Sequence, residues 1–589
     1  MSDYRAPVED MDFVLQHVVN AGDLQGHDAF SHVDVSEIAG ILEEAGRFFS
    51  EVVAPTNRIG DTQGSQRNAD GSVTTPDGIP EAYAKLVDAG WGAISFDPEY
   101  GGGGFPTVIG LAVQEMLTSA NMGFSLCPLL TQGAIHLLDA HASEAQRLAW
   151  VPKMVTGEWT GTMNLTEPQA GSDVGALTTK AVRNDDGTYA ITGQKIFITW
   201  GEHDVAENIV HLVLARTADA PPGTKGISVF IVPKFLLNDD GSVGERNSLE
   251  CVSLEHKLGI HCSPTAVMAF ENATGYLIGE EQTGMRSMFT MMNSARLSVG
   301  LEGLALAERS YQQAVQYSFD RLQGGRPELA KGEPAQIVEH PDVRRMLLTM
   351  KAYIEAMRCL CYLNAKAMDD AQHASDAETK QAGQELAEVL TPLSKAWCTD
   401  LGNELTSLGV QVHGGMGFIE ETGAAQHYRD IRIGGIYEGT NGIQAIDLIG
   451  RKLPIRDGAA VAELLDATQE YAEALGGDLA SLTKPLVEGV SACRESSAWL
   501  LANQGDAALA GATPYLRLLS TVVAGGLMAK SAAVAQAKLT EATGERADFL
   551  SQKIVTATFF IEQLVPAQLG LMPSIMSGND ILASYQPVL

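Results

Sequence analysis

Residues 436–452 read IYEGTNGIQAIDLIGRK. One carboxylate, Glu438, stands between an aromatic residue and a Gly439-Thr440 turn, and an apolar helix opens directly behind that turn. A threonine ahead of an apolar run is also an ordinary helix start, so the stretch has a purely structural reading as well. Far upstream, residues 163–175 read MNLTEPQAGSDVG, small polar residues and glycines at the entry to a β-rich stretch. Alone, this second string reads equally well as a polar loop.

Around these two strings the texture of the chain changes in blocks. Between residues 161 and 278, TYAITGQKIFITW, NIVHLVLAR and GISVFIVPK are strands by composition, separated by Gly, Asn, Asp and Pro turns. Upstream, residues 36–160 show helical spacing, broken by the glycines 101–104 of DPEYGGGGFP. Four glycines can cradle phosphate, but no Lys-Ser/Thr follows, and the run reads as a loop. Helical periodicity returns after Met285, and His340-Pro341-Asp342 sets a helix start with proline in its first turn. Val343, Met346, Met350, Ile354, Met357 and Cys361 follow at three-to-four-residue steps as a buried stripe, with the methionines as core filling. Residues 453–458 break the pattern as a linker. Val461, Leu464, Leu465, Thr468 and Tyr471 then form a new helical face, and helices continue to about residue 571. Leu518 to Met528 is strongly apolar but is interrupted by Lys530, which predicts a buried bundle helix. The expected fold class is mixed α/β, mainly α. It comprises an extension (1–35), a helical domain (36–160), a β-barrel-like domain (161–280), a helical bundle (281–452) and an extra C-terminal helical domain (459–589).

In this order, the two strings together resemble those of the acyl-CoA dehydrogenases, flavoproteins that oxidise fatty-acyl thioesters. The resemblance covers about residues 36–452. It extends further to a subgroup of longer enzymes that includes 3-methylthiopropanoyl-CoA dehydrogenases and some mycobacterial fatty-acyl-CoA dehydrogenases. YRAPVEDMDFVL at 4–15, GERNSLECVSLEHKLGIHCSPT at 244–265, HPDVRRMLLTMKAY at 340–353 and the C-terminal helices carry that extension. The implied reaction is α,β-desaturation, which needs a base for a weakly acidic α-proton and an acceptor for the β-hydride. No side chain accepts hydride, so the resemblance implies FAD. It makes Glu438 the base. Relatives such as isovaleryl-CoA dehydrogenases carry the base on an earlier helix, just before an arginine matched here by Arg296; that position is Ala295, which leaves Glu438. Ile436, Tyr437 and the flavin are expected to desolvate Glu438 and raise its pKa once substrate excludes water. Its backbone amide, with a flavin ribityl hydroxyl, is expected to hold the thioester carbonyl.

The same resemblance places Met163, the Leu165 backbone, the Thr166 hydroxyl, Gly171 and Thr440 at the FAD, and Ser172 near both the FAD pyrophosphate and the substrate. Phe197 matches the residue covering the isoalloxazine ring, where many relatives have Trp, and Thr199 the hydroxyl directed at flavin N5. The bland alternative for Phe197 is an ordinary strand residue. Arg321, Gln411, Gly414 and Gly415 match residues that reach the FAD of a neighbouring subunit. After Arg321 the chain departs from the common RxTFG pattern, with Leu322-Gln323-Gly324-Gly325 and an insertion. Asn293, Arg296, Tyr437 and Gly439 match the substrate side, the first two near the CoA pantetheine and phosphates, although an arginine on an amphipathic helix is ordinarily a solvated charge. His413 reads as a packing or solvent-side histidine. The implied partners are an acyl-CoA, an electron-transferring flavoprotein as electron acceptor, and a second copy in a homodimer. The C-terminal helices are expected to occupy the interface through which shorter relatives form tetramers. Other readings are an acyl-CoA oxidase and a non-catalytic binding member.

Composition bounds the remaining classes. At 589 residues several domains are expected. A hydrophobic fraction of 45% with 19% charged residues describes a globular chain, and the formal charge of −33 argues against nucleic-acid binding. Coenzyme A is anionic too, so its site must be locally basic. The seven scattered cysteines predict free thiols in a reducing cytoplasm, and no CxxC or HExxH suggests a metal. The acidic N-terminal sequence does not read as a secretory signal, and no apolar run is expected to span a bilayer.

Overall fold

The computed structural model describes residues 4–330 and 332–587. The chain divides into two compact units: residues 47–105 with 116–298, and residues 1–46 with 106–115 and 299–589.

The first unit is built on a seven-stranded sheet. Its strands are β1 (Trp159–Asn164), β2 (Lys180–Arg183), β3 (Tyr189–Thr199), β4 (Asn208–Ala215), β5 (Ser228–Pro233), β6 (Leu249–Leu254) and β7 (Thr265–Leu277). The order is β1-β4-β5-β7-β3-β2, with β6 also paired to β7. Only β1 and β4 run parallel. A bridge between Lys180 and Arg216 brings the far edge back towards the end of β4, which gives the sheet its barrel-like form. Alternating residues from β3, β4, β5 and β7, among them Ile191, Val213, Phe230, Met268 and Phe270, meet in its core. β1 is buried along its whole length, as a strand covered on both faces must be. Gly161 permits the covering: a Cβ there would meet Ala134 Cβ at 2.6 Å. The glycine run 101–104 is a loop folded back onto residues 93–97 by the bonds Gly102 N–Asp97 O, Gly103 N–Ala93 O and Gly104 N–Phe96 O.

The second unit is helical. Its framework is α1 (Gly284–Asp320, which begins in the first unit's range), α2 (Pro341–His373), α3 (Ala377–His413), α4 (Asn441–Asp447), α5 (Asp506–Leu539) and α6 (Glu545–Phe559). The predicted stripe on α2 is buried from Met346 to Cys361, with Val343 half-buried in the first turn. Where α1 meets α3 the backbones nearly touch: a Cβ on Gly303 would lie 2.0 Å from the Cys398 carbonyl oxygen. By length and composition alone, Asp506–Leu539 and Glu545–Met576 are long and apolar enough to cross a membrane. This corrects the expectation that no run reaches that length. Lys530, the interruption in the first of them, donates from Nζ to the Val18 carbonyl, and 83% of that helix's most apolar window is buried within the protein. The predicted linker is a tight turn in which Arg456 and Asp457 both have positive φ, pinned by Arg456 to Glu385 and Glu463.

A cluster of charged groups lies at the centre of this unit. Arg358 of α2 is fully buried and donates to Asp10, Glu115 and Glu308, while Lys553 of α6 donates to Asp10 (2.6 Å) and Glu355 (2.9 Å). The N-terminal segment and a C-terminal helix are thereby tied to one another.

Candidate active site

The turn that precedes α4 is strained and held from several sides. Glu438 has φ +55° and Gly439 φ +84°. Glycine adopts the left-handed region freely, whereas for a glutamate it costs on the order of 1–2 kcal/mol. Such a conformation persists only where the surroundings impose it. Here Lys395 of α3, itself fully buried, donates to the Gly439 carbonyl and to Asn441 Oδ1, both at 2.8 Å. Asn441 Nδ2 in turn donates to Asp400 (2.7 Å) and Thr399 (2.9 Å). Thr440 Oγ1 caps α4 by accepting from Ile443 N at 3.3 Å. The Tyr437 hydroxyl donates to Glu302 Oε2, a carboxylate of α1 with no accessible surface. Glu438, half-buried, is therefore presented by a fixed turn rather than by a mobile loop.

In the sheet unit, the 163–175 string and the end of β3 come together. Ile196 N donates to the Thr166 carbonyl at 2.9 Å. Lys195, buried beneath, donates to the Leu165 carbonyl (3.0 Å) and to Glu167 Oε1 (2.8 Å). Glu167 also accepts from the backbone and hydroxyls of Thr178 and Thr179. Burial by itself would raise the Glu167 carboxyl, but the Lys195 charge and these hydrogen bonds bring it down to about 2. Burial lowers Lys195 to about 8, against the pull of Glu167. Above this anchor Met163 is buried, Leu165, Thr166 and Thr199 are half-buried, and Gly171 and Ser172 are exposed. Phe197 has φ +60° at a register shift between β3 and β7, and its ring is 59% exposed. An ordinary strand phenylalanine is neither strained nor so uncovered.

Arg321 and Gln411 lie at the C-terminal ends of α1 and α3, which are packed together through Tyr317 against His413, ring centroids 4.5 Å apart. Arg321, Gln411, Gly414 and Gly415 are all exposed, and the Arg321 guanidinium donates to Gln323. His413 is buried and donates from Nδ1 to the Gly409 carbonyl (2.7 Å), a packing histidine whose pKa burial lowers. Arg296 is buried and lies over the Phe289 ring, not on a solvated helix face. Ala295 beside it is buried as well. The Asn293 side chain lies outside the described residues.

Family models match the chain in four consecutive segments: acyl-CoA dehydrogenase N-terminal domain at 37–158, middle domain at 162–273, C-terminal domain at 282–453, and an acetyl-CoA dehydrogenase C-terminal-like domain at 459–586. A 3-methylmercaptopropionyl-CoA dehydrogenase of Ruegeria pomeroyi is 48% identical over 95% of this chain and 96% of its own. The chain belongs to the acyl-CoA dehydrogenase family. A broad-specificity linear acyl-CoA dehydrogenase of Mycobacterium tuberculosis, FadE5, is 34% identical over 99% of each chain. Among solved structures, an acyl-CoA dehydrogenase of Bacillus anthracis complexed with FAD shares the fold at TM-score 0.73 and 21% identity, over 94% of this chain and 92% of that one. This acyl-CoA dehydrogenase is accordingly an oxidoreductase acting on acyl-CoA. Sequence reasoning missed the residues that hold its turns: Glu302, Lys395, Glu167 and Lys195. Only Glu302 carried a signal, as the one acid in the apolar and small-residue run LSVGLEGLALA.

Proposed function

We propose that this acyl-CoA dehydrogenase desaturates 3-methylthiopropanoyl-CoA between its α and β carbons, with Glu438 as the base. The observation that carries the base is the turn itself: a glutamate held at positive φ, half-buried, with its neighbours' polar groups committed to Lys395, Asn441 and Glu302. Fixing the backbone from which the carboxylate projects is what proton abstraction from a weak carbon acid needs. FAD, when bound, supplies the hydride acceptor that no side chain provides. The sheet unit fits such a group: the uncovered Phe197 ring offers it a face, Thr166 and Thr199 offer hydroxyls, and Gly171 and Ser172 permit close backbone approach. Arg321, Gln411, Gly414 and Gly415 are read as reaching the cofactor of a second copy. A homodimer rests on family resemblance, with Met416, Phe418 and Ile419, just after Gly414 and Gly415 in the chain and 44–86% exposed, as apolar side chains a second copy would cover. The β-sulfur substrate rests on the Ruegeria pomeroyi relative, an electron-transferring flavoprotein as electron acceptor on family resemblance, and a cytoplasmic location on the seven buried free cysteines.

Two experiments test this reading. Glu438→Gln keeps size and hydrogen bonding but cannot take a proton, so substrate-driven flavin reduction in stopped flow should fall by more than the ~10²–10⁴ of an assisting group. Glutamate at Ala295 in that variant should restore part of the rate, and near-wild-type reduction by Glu438→Gln alone refutes the base. A panel of 3-methylthiopropanoyl-CoA and straight-chain acyl-CoAs decides the substrate; a straight chain with higher kcat/KM overturns the β-sulfur preference.

A further inference from the structure

One buried acid in the helical unit is not used by the chemistry above. Glu302 is 0% exposed; its Oε2 accepts from the Tyr437 hydroxyl, and its Oε1, buried too, has no hydrogen-bond partner among the described residues. Two charged groups bear on it besides: Lys395 from α3 and Glu438 from the same turn as Tyr437. The close crossing of α1 on α3, allowed by Gly300 and Gly303, brings Glu302 within reach of both. A carboxylate with one oxygen unsatisfied in a dry site is costly as an anion and far less so as an acid.

We propose that Glu302 is a positioning residue of the site: as a neutral acid it anchors Tyr437, and through Tyr437 the turn that presents Glu438, and its loss of a proton changes the charge beside the base. The inference rests on Glu438 being the base. Burial pushes Glu302 up to about 8; the Tyr437 hydrogen bond and Lys395 oppose that rise, and the Glu438 charge adds to it. Burial raises Tyr437 well above its usual range, and the charges of Glu302 and Glu438 do so further, so its hydroxyl stays the donor. While Glu302 holds its proton, it adds no charge beside Glu438. Once Glu302 ionises, two like charges share the site, and transfer of the substrate proton to Glu438 relieves their repulsion.

The stopped-flow rate of flavin reduction in the holoenzyme should rise in a step with midpoint near 8. Glu302→Gln, isosteric and unable to ionise, should lose that step, and Tyr437→Phe should move it to higher pH. Two readouts need no turnover. Infrared titration should show a protonated carboxyl band in the wild type that disappears near the same pH and is missing in Glu302→Gln. Melting temperature supplies the other. Because the folded-state pKa is raised, the stability this group contributes is full below its unfolded value and is lost as pH rises through about 8. Glu302→Gln should therefore gain in melting temperature over the wild type at pH above 8 and not at acidic pH. Identical pH profiles and identical infrared titrations for wild type and Glu302→Gln overturn the proposal while leaving the base intact. A base assignment refuted by Glu438→Gln leaves the infrared and thermal results to decide whether Glu302 is protonated.

Discussion

Two buried acidic clusters in the helical unit differ in the cations bonded to them, although burial raises Glu115 in the first as it raises Glu302 in the second. Around Arg358, four carboxylates (Asp10, Glu115, Glu308 and Glu355) are met by fixed cations, Arg358, Lys553 and Lys351. Burial would raise Asp10, yet Lys553, Lys351 and Arg358 hold it far below the ordinary carboxylate range. At the turn before α4, Glu302 is bonded to a tyrosine and, among the described residues, to no cation; Lys395 and Glu438 act on it without a bond, and burial pushes it up to about 8. The difference teaches what to look for in a core: a buried carboxylate with a dedicated cation is a tie, and one without is a group whose charge can change during function. Both ties and titrating groups are expensive to bury, so each must return something. The first joins distant segments, and the second holds Tyr437, the residue before the proposed base.

The comparison is broken most severely by Arg358→Met, which leaves three acids at the centre of the unit without their guanidinium. A loss of about 3–5 kcal/mol is expected, as for any buried ion pair stripped of one partner, seen as a large fall in the denaturation midpoint. Unchanged stability would show that these acids are protonated in the native state, like Glu302. Lys195→Met makes the parallel cut in the sheet unit, where Glu167 would retain its four bonds from Thr178 and Thr179. The expected loss is smaller, about 2–3 kcal/mol, the strength of hydrogen bonds to a charge. It should be accompanied by weaker FAD retention on gel filtration, because the Leu165 carbonyl loses its anchor. Arg456→Ala sharpens the contrast from the other side. Arg456 is itself exposed, 46% at its side chain, as is Glu463, so solvent screens the pairs and the smallest loss of the three is expected in chemical denaturation.

Much of this was legible in the chain. The α2 stripe from Met346 to Cys361, the proline start at Pro341 and the strands around KIFITW follow local periodicity and capping, which are properties of neighbouring residues and survive in the sequence. The turn from Glu438 to Thr440 and the helix it opens were legible as well, because a glutamate between an aromatic residue and a Gly-Thr pair is a local pattern. The buried bundle helix predicted around Leu518–Met528 is Asp506–Leu539, but the partner of Lys530 was not legible: its ammonium is satisfied by the carbonyl of Val18, more than five hundred residues away in the chain.

The sequence by itself determined the family and the alternation of helical and β-rich blocks, since each is written in short-range patterns of residue type. Only the tertiary structure decided which charged residues are buried and with whom. Asp10 lies in YRAPVEDMDFVL and reads as one more acid in an acidic chain until Arg358 and Lys553 close on it. Glu302 reads as an interruption of an apolar run until α1 crosses α3 and the Tyr437 hydroxyl arrives. The physical reason is that desolvation and Coulomb interactions depend on distances through space, and nothing in the order of residues along the chain encodes those distances before the helices pack.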